Sequence, residues 1–344
     1  MSIDETFLAQ GAAEADDGHP KADHSRAPSI WRRSGLQIGI LAVGVVILVT
    51  FIIAAPDVFL RANIYQAFAS TTPLFLIMAL GLTLVVITGE IDLSFPSVMA
   101  LSMVSFVYAF QAGMFVGVAF LLAILTGALA GFINGTLVSR VGIPSLVITI
   151  GTAFLFRGIE LAIMSGRGVP LTDAGLAPVR AVLVGRYFGV PMQVVWTFLL
   201  AALLWFILNR TKFGAHVYLV GDNSISAKLM GVSVARTKTG AFMIMGMCAA
   251  FAGVVASFEV SYFWPTLGDG SLLNTIASVF LGGTSVFGGT GSVFGTLIGG
   301  FIIGALNAGI VSAGINAFWT QAVFGLVIVF SVVLQTLITR RVRK

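Results

Sequence analysis

The sequence predicts an all-α fold: a polytopic transmembrane helix bundle of about ten spans, some broken or re-entrant, with both termini cytoplasmic. Three observations predict it. Of 344 residues, 58% are hydrophobic and only 10% are charged, against about 25% charged in an ordinary soluble domain. The apolar residues fall in runs of roughly 18–24 with few or no charges, the length a helix needs to cross a hydrocarbon core. Lys and Arg collect in the short segments between alternate runs, as a membrane topology requires.

Taken in order, the chain opens with polar residues of mixed charge, including Asp16, Asp17, Lys21, Asp23 and Arg26. No short apolar core precedes a cleavage site there, so residues 1–34 read as a disordered cytoplasmic tail rather than a signal peptide. Residues 35–339 read as the transmembrane domain and 340–344 as a basic cytoplasmic tail. Apolar runs predict spans near 36–55, 64–88, 95–112, 116–138, 143–165, 191–210, 239–261, 271–287, 293–313 and 317–338. The run 95–112 starts beside Pro96, and 271–287 is short and ends in glycine. Each is therefore a candidate half-helix or re-entrant segment.

With the amino terminus inside, the cytoplasmic segments collect Lys21, Arg26, Arg32, Arg33, Arg140, Arg210, Lys212, Lys228, Arg236, Lys238, Arg340, Arg341, Arg343 and Lys344. The other side keeps Arg61, Arg167, Arg180 and Arg186. This asymmetry places both termini in the cytoplasm and agrees with an even number of spans. It also explains the net charge of +5 as a topology signal rather than a nucleic-acid footprint. Segment 166–190 then faces the periplasm and segment 211–238 the cytoplasm. The single Cys248 lies in an apolar run and has neither a disulfide partner nor companion metal ligands.

Polar interruptions of the apolar pattern carry the chemistry. Thr88-Gly89-Glu90-Ile91-Asp92-Leu93-Ser94-Phe95-Pro96-Ser97 places two carboxylates, hydroxyls and a proline between two runs. Ionisable groups near bilayer depth cost several kcal/mol unless they meet water or partners. Glu90, Asp92 and Ser94 are therefore candidates for a translocation route, the alternative being that Asp92 or Ser94 only caps the next helix. Leu281 to Ser292 holds five glycines with Thr284 and Ser285 and no charge. It lacks the Gly-Lys-Ser or Gly-Lys-Thr ending of a phosphate-binding loop, which argues against nucleotide binding.

Val220 to Val232 predicts a short cytoplasmic helix, capped by Asp222 or Asn223 and ended by Gly231, with Ala227, Leu229, Met230 and Val232 as its apolar component. It either docks a partner or lies on lipid. Within one predicted span, Arg157 and Glu160 stand three apart and could pair across adjacent turns, neutralising each other or, alternatively, contacting substrate. Asn134, Asn274 and Asn307 either join helices or line a polar path, and Asn307 is kept as a pathway candidate.

These residues resemble a known family. Gly89–Ser97 is similar to the Gly-Gly-Ile-Asp-Leu-Ser signature of ribose-type sugar ABC permeases. Gly221–Gly231 resembles their ATPase-coupling loop, and Gly282–Asn307 their glycine-rich carboxy-terminal segment. Ile133-Asn134-Gly135 followed by Ile143-Pro144-Ser145 fits in order and spacing, and the resemblance runs from about Leu36 to Leu337. Two departures stand out: Glu90, where the family more often has glycine, and Lys228, where it more often has arginine and a fork of donors that lysine lacks.

The resemblance implies a permease subunit of a bacterial inner-membrane importer for a sugar or polyol, working by alternating access. It also implies a periplasmic sugar-binding protein, separate ATP-binding subunits, and a second permease copy in a homodimer or pseudo-dimer. Asp222, Asn223, Ala227, Lys228, Leu229, Met230 and Gly231 would then meet the ATP-binding subunit. Glu90, Asp92, Ser94, Thr284, Ser285 and Asn307 would lie along the route. The residues themselves offer no catalytic constellation, cofactor motif or metal-ligand cluster: His19, His24 and His216 fall apart in the topology. Rival readings are a branched-chain amino-acid ABC permease and a self-contained channel or secondary carrier using Glu90, Asp92 or Glu160 as ion sites.

Overall fold

The computed structural model of the chain describes residues 44–46, 49–50, 52–53, 56–312 and 318–342. The expected tail 1–34, most of the expected 36–55 span and the last two residues lie outside the described residues. A single helical turn, Pro56–Phe59, leads into α1 (Ala62–Ile87). There follow α2 (Phe95–Gln111), α3 (Val116–Thr136, continued by a π-turn Leu137–Val141) and α4 (Ser145–Met164). Next come α5 (Ala177–Val184), α6 (Met192–Arg210), α7 (Lys212–Asp222), α8 (Ser224–Leu229) and α9 (Val234–Val260). The last helices are α10 (Leu272–Leu281), α11 (Val293–Ser312) and α12 (Phe318–Val342).

Among the described residues, six helices are long and apolar enough to cross a membrane: Ala62–Ile87, Val116–Val141, Ser145–Met164, Met192–Arg210, Val234–Val260 and Val293–Ile310. The expected runs 95–112 and 271–287 take shorter forms. Helix α2 has 17 residues and begins only after a non-helical break. Helix α10 has 10 residues, or about 15 Å at 1.5 Å per residue, half of a hydrocarbon core about 30 Å thick. The rest of the 271–287 run is glycine turn, which breaks the helix without interrupting the apolar pattern.

Burial explains the layering. Helix α1 is apolar all round, and from Phe75 to Ile87 its side chains are almost wholly buried or nearly so, the signature of a central helix. Helix α9 packs along both α1 and α3, α2 lies against α3 and α9, and α11 joins α1 to α10. Outside them, α4 leaves Leu146, Val147 and Phe154 exposed, apolar side chains on a face suited to lipid.

The α3–α9 contact is built from absent side chains. Gly127, Gly131 and Gly135 recur every four residues on one face of α3, the spacing that lets membrane helices close on each other. A methyl group at Gly131 would stand 2.2 Å from the Phe242 carbonyl oxygen, and one at Gly246 would stand 2.0 Å from the Gly127 carbonyl oxygen.

The expected periplasmic segment 166–190 folds into α5 and two small antiparallel ladders. In the first, β1 (Val169–Pro170) pairs with β4 (Tyr262–Phe263); in the second, β2 (Arg186–Tyr187) pairs with β3 (Val190–Pro191). Helices α7 and α8 lie at the opposite end of the bundle.

Candidate functional site

Helix α1 stops at Thr88 because Gly89 takes a positive φ of 83°, a conformation open to glycine without steric cost. The chain then stays non-helical to Ser94, where α2 starts with Pro96 in its first turn. The buried backbone of this break needs partners, and neighbouring helices supply them. The Ile91 N–H donates to Ser145 Oγ at 3.1 Å, and Thr149 Oγ1 donates to the Ile91 carbonyl at 3.4 Å. Asp92 Oδ1 accepts from the Ser94 N–H at 2.7 Å and from Ser94 Oγ at 2.6 Å, while Asn134 Nδ2 donates to Ser94 Oγ at 2.7 Å. Asp92 thus closes a local turn ahead of α2. Ser94 occupies the N-cap position, but its side chain makes no capping bond to the helix; it bridges the break to α3 instead.

Glu90 is paired with Lys238 at the start of α9, both side chains about one-sixth exposed. The glycine turn 282–292 lies beside the same break. The Gly289 N–H donates to the Ile87 carbonyl at 2.9 Å, and Tyr218 of α7 donates through its hydroxyl to the Gly291 carbonyl at 2.9 Å. A methyl group at Gly221 would stand 1.7 Å from the Ile87 carbonyl oxygen and 2.6 Å from the Gly289 nitrogen. Backbone therefore touches backbone where α7, the end of α1 and the glycine turn meet. Thr284 is fully buried, with no hydrogen-bond partner for its Oγ1 among the described residues. Ser285 shapes the turn: its N–H donates to the Thr290 carbonyl at 3.0 Å and its Oγ accepts from the Phe287 N–H at 3.2 Å.

Helix α8 hangs from this junction. Asn223 caps it, its Oδ1 accepting from the N–H groups of Ile225 and Ser226 at 3.1 and 2.9 Å, while Asp222 is the exposed last residue of α7. Gly231 ends the turn at φ 82°. Leu229 is 84% exposed, Ile225 74% and Met230 62%, unusual exposure for large apolar side chains that are neighbours on one short helix. Lys228 is exposed beside them. Ala227 points the other way, fully buried in a small cluster with Val220 and Val232. It seats α8 on the bundle and leaves the outward face to Ile225, which sequence reasoning missed.

Asn307 stands apart from the other pathway candidates. It lies fourteen residues into α11, about 21 Å along the helix from its start beside the glycine turn. There it lines a cavity with Asp269, Asn274, Thr320 and Gln321. Beside that cavity Arg157 pairs with Glu160 at 3.0 Å, as expected, and also reaches Asp269 and the Pro265 carbonyl. Gly268 lies against the Pro96 carbonyl oxygen, so the loop leading into α10 meets the start of α2. The partners Lys238 and Asp269 were missed as such: each is over a hundred residues from its mate, and no local pattern joins them. Among the described residues no cluster of three or more His, Cys, Asp or Glu is placed to hold a metal ion.

A family model described as branched-chain amino acid transport system / permease component matches residues 64–332. The chain is 36% identical over 264 residues to the ribose import permease protein of Bacillus subtilis (strain 168), covering 75% of this chain and 80% of that protein. It is 34% identical over 260 residues to the autoinducer 2 import system permease protein of Photorhabdus luminescens, covering 75% and 77%. Against the D-allose transport system permease protein of Escherichia coli (strain K12) it is 33% identical over 312 residues, covering 88% and 93%. No solved structure matches the chain.

Proposed function

This chain belongs to the family described as branched-chain amino acid transport system / permease component, and from that membership we propose that it is the membrane-spanning permease subunit of a bacterial ABC importer for a sugar or polyol. It sits in the inner membrane as a multi-pass protein and hydrolyses no ATP itself; a separate ATP-binding subunit does. Two of the similar permeases are named for ribose and D-allose, both neutral polyhydroxylated solutes, which favours sugar over a branched-chain amino acid.

The observation that carries the mechanism is the junction of α7 with the two interruptions. Helix α8 offers Ile225, Leu229 and Met230 outward, while the Gly221 backbone abuts Ile87 and Gly289. A push on α8 by an ATP-binding subunit would therefore pass through backbone, with no intervening side chain to yield, into the break at 88–94 and the turn at 282–292. In this reading Asp222, Asn223, Lys228, Leu229, Met230 and Gly231 form or shape the docking helix, and Ala227 anchors it. Glu90, Asp92, Ser94, Thr284 and Ser285 shape the inner end of the route, and Asn307 lies farther along it.

The basic residues Arg140, Arg210, Lys212, Lys228, Arg236 and Lys238 all fall near the α7–α8 end, which supports a cytoplasmic assignment for that end. Ten spans follow if α2, α10, α12 and the 36–55 run join the six long apolar helices, with both termini inside. Residues 1–34 and 340–344 are then cytoplasmic tails of a 35–339 permease domain. A periplasmic sugar-binding protein delivers to the opposite end, and a second permease copy completes the path.

The test is reconstitution. The chain with its ATP-binding subunits and binding protein in liposomes should take up a monosaccharide or polyol only with ATP. Solute movement by the chain alone would instead establish a secondary carrier or channel.

A further inference from the structure

A cavity of about 250 Å³ opens between α10, α11 and α12, and its lining is chemically mixed. Asn274, Asn307 and Gln321 contribute amides, Thr320 a hydroxyl, Asp269 a carboxylate and Phe324 a buried aromatic wall. The size lies just below the usual range of about 300–1,000 Å³ for drug-sized ligands, which suits a smaller solute. Amide side chains present donor and acceptor together, matching hydroxyl groups that also do both. Thr320 Oγ1 is shielded from solvent with no hydrogen-bond partner among the described residues, and a buried polar atom left unpaired is costly unless a ligand or water meets it.

Charge and position narrow the class. Asp269 is the cavity's only carboxylate among the described lining residues, and it is already paired with Arg157. The remaining polar lining, three amides and a hydroxyl, is neutral. Helix α10 opens at the cavity, led in by the 3-10 turn Asp269–Ser271. Gly268, just before it, touches Pro96 at the start of α2. The loop that carries Asp269 and Gly270 to the cavity is thus seated on the helix that follows the break at 88–94.

We infer that Asn274, Asn307, Thr320 and Gln321, walled by Phe324 and braced by the Arg157–Asp269 pair, form a binding subsite for a neutral polyhydroxylated solute. The inference rests on the importer reading and adds to it a place and a chemistry.

A reporter cysteine tests it. Gly270 lines the cavity, and a side chain there meets nothing within 4 Å, so Gly270→Cys in a Cys248→Ala background would be labelled with a maleimide in proteoliposomes of the full complex. Ribose, D-allose and ribitol serve as probes, with leucine and glutamate as comparisons. At least one polyol should slow labelling severalfold, the two amino acids should not, and Thr320→Val or Asn307→Leu should weaken the protecting polyol about tenfold, the effect of losing roughly 1.4 kcal/mol. An unchanged labelling rate of each variant without solute shows that the cavity is intact. No protection by any polyol, or protection indifferent to both substitutions, overturns the subsite, and protection by leucine or glutamate overturns its chemical class. Failure of the importer reading shows separately, as absent ATP-dependent uptake by the unmodified complex.

Discussion

The Ile87 carbonyl accepts a hydrogen bond from the Gly289 N–H at 2.9 Å, tying the last turn of α1 to the glycine turn ahead of α11. Gly221 closes on the same carbonyl, so three distant parts of the chain share one point.

Gly221→Ala should disrupt that point. A methyl group there falls 1.7 Å from the Ile87 oxygen, and forced repacking of this kind costs about 1–3 kcal/mol. We expect a lower thermal midpoint in detergent and loss of ATP-coupled uptake. Gly151→Ala, on an open face of α4, should change neither.

The Glu90–Lys238 pair joins the break to the start of α9. Removing either charge strands the other in a largely buried setting, and a hydrogen bond to a charged group contributes about 1.5–3 kcal/mol. Glu90→Gln and Lys238→Met should each slow uptake, and the double variant should lose less than the sum of the two. An additive double-mutant cycle would show that the pair is not coupled.

Within the break, Ser94→Ala leaves Asn134 Nδ2 without its acceptor at a cost of about 1–3 kcal/mol. Asp92→Asn keeps an oxygen for both Ser94 donors, whereas Asp92→Leu removes it. Uptake should therefore fall in the order Asp92→Asn, then Asp92→Leu, with Ser94→Ala also impaired and the assembled complex still recovered. Normal transport by Ser94→Ala and Asp92→Leu would make the motif dispensable.

On α8, Leu229→Ala and Ile225→Ala should each reduce co-purification of the ATP-binding subunit more than Lys228→Ala. A central apolar anchor commonly costs about 2 kcal/mol or more when truncated, and a rim charge less. Equal retention of the subunit by all three variants would favour a helix that only rests on lipid.

Topology is open to chemical labelling. A cysteine at Ser226 in the Cys248→Ala background should react only with reagent that reaches the cytoplasmic face. Reaction from the periplasm alone would invert the orientation.

Sequence and structure agree best where chemistry is local. The helix stop at Gly89, the Asn223 cap, the Gly231 ending and the Arg157–Glu160 pair all follow from residues within a turn of one another. Hydropathy could not separate α10 from a full span, because the glycine turn that follows its ten helical residues is as uncharged as the helix. Ser94 reads as a cap in sequence, yet its hydroxyl joins Asn134 of α3, a partner that only tertiary packing supplies. Ala227 joins the coupling residues through the resemblance to the family's loop; its burial with Val220 and Val232 was not legible, because on so short a helix sequence does not say which face turns inward.

The seam between α3 and α9 has a mechanical consequence. Where Gly127, Gly131 and Gly246 bring main chain against main chain, no side-chain rotamers remain to rearrange, so the two helices have little means of sliding or rolling past each other. Together they make a stiff keel, and whatever swings during a transport cycle must pivot around it. Distance probes placed one on α3 and one on α9 would then hold steady while probes spanning α10 and α12 change with nucleotide.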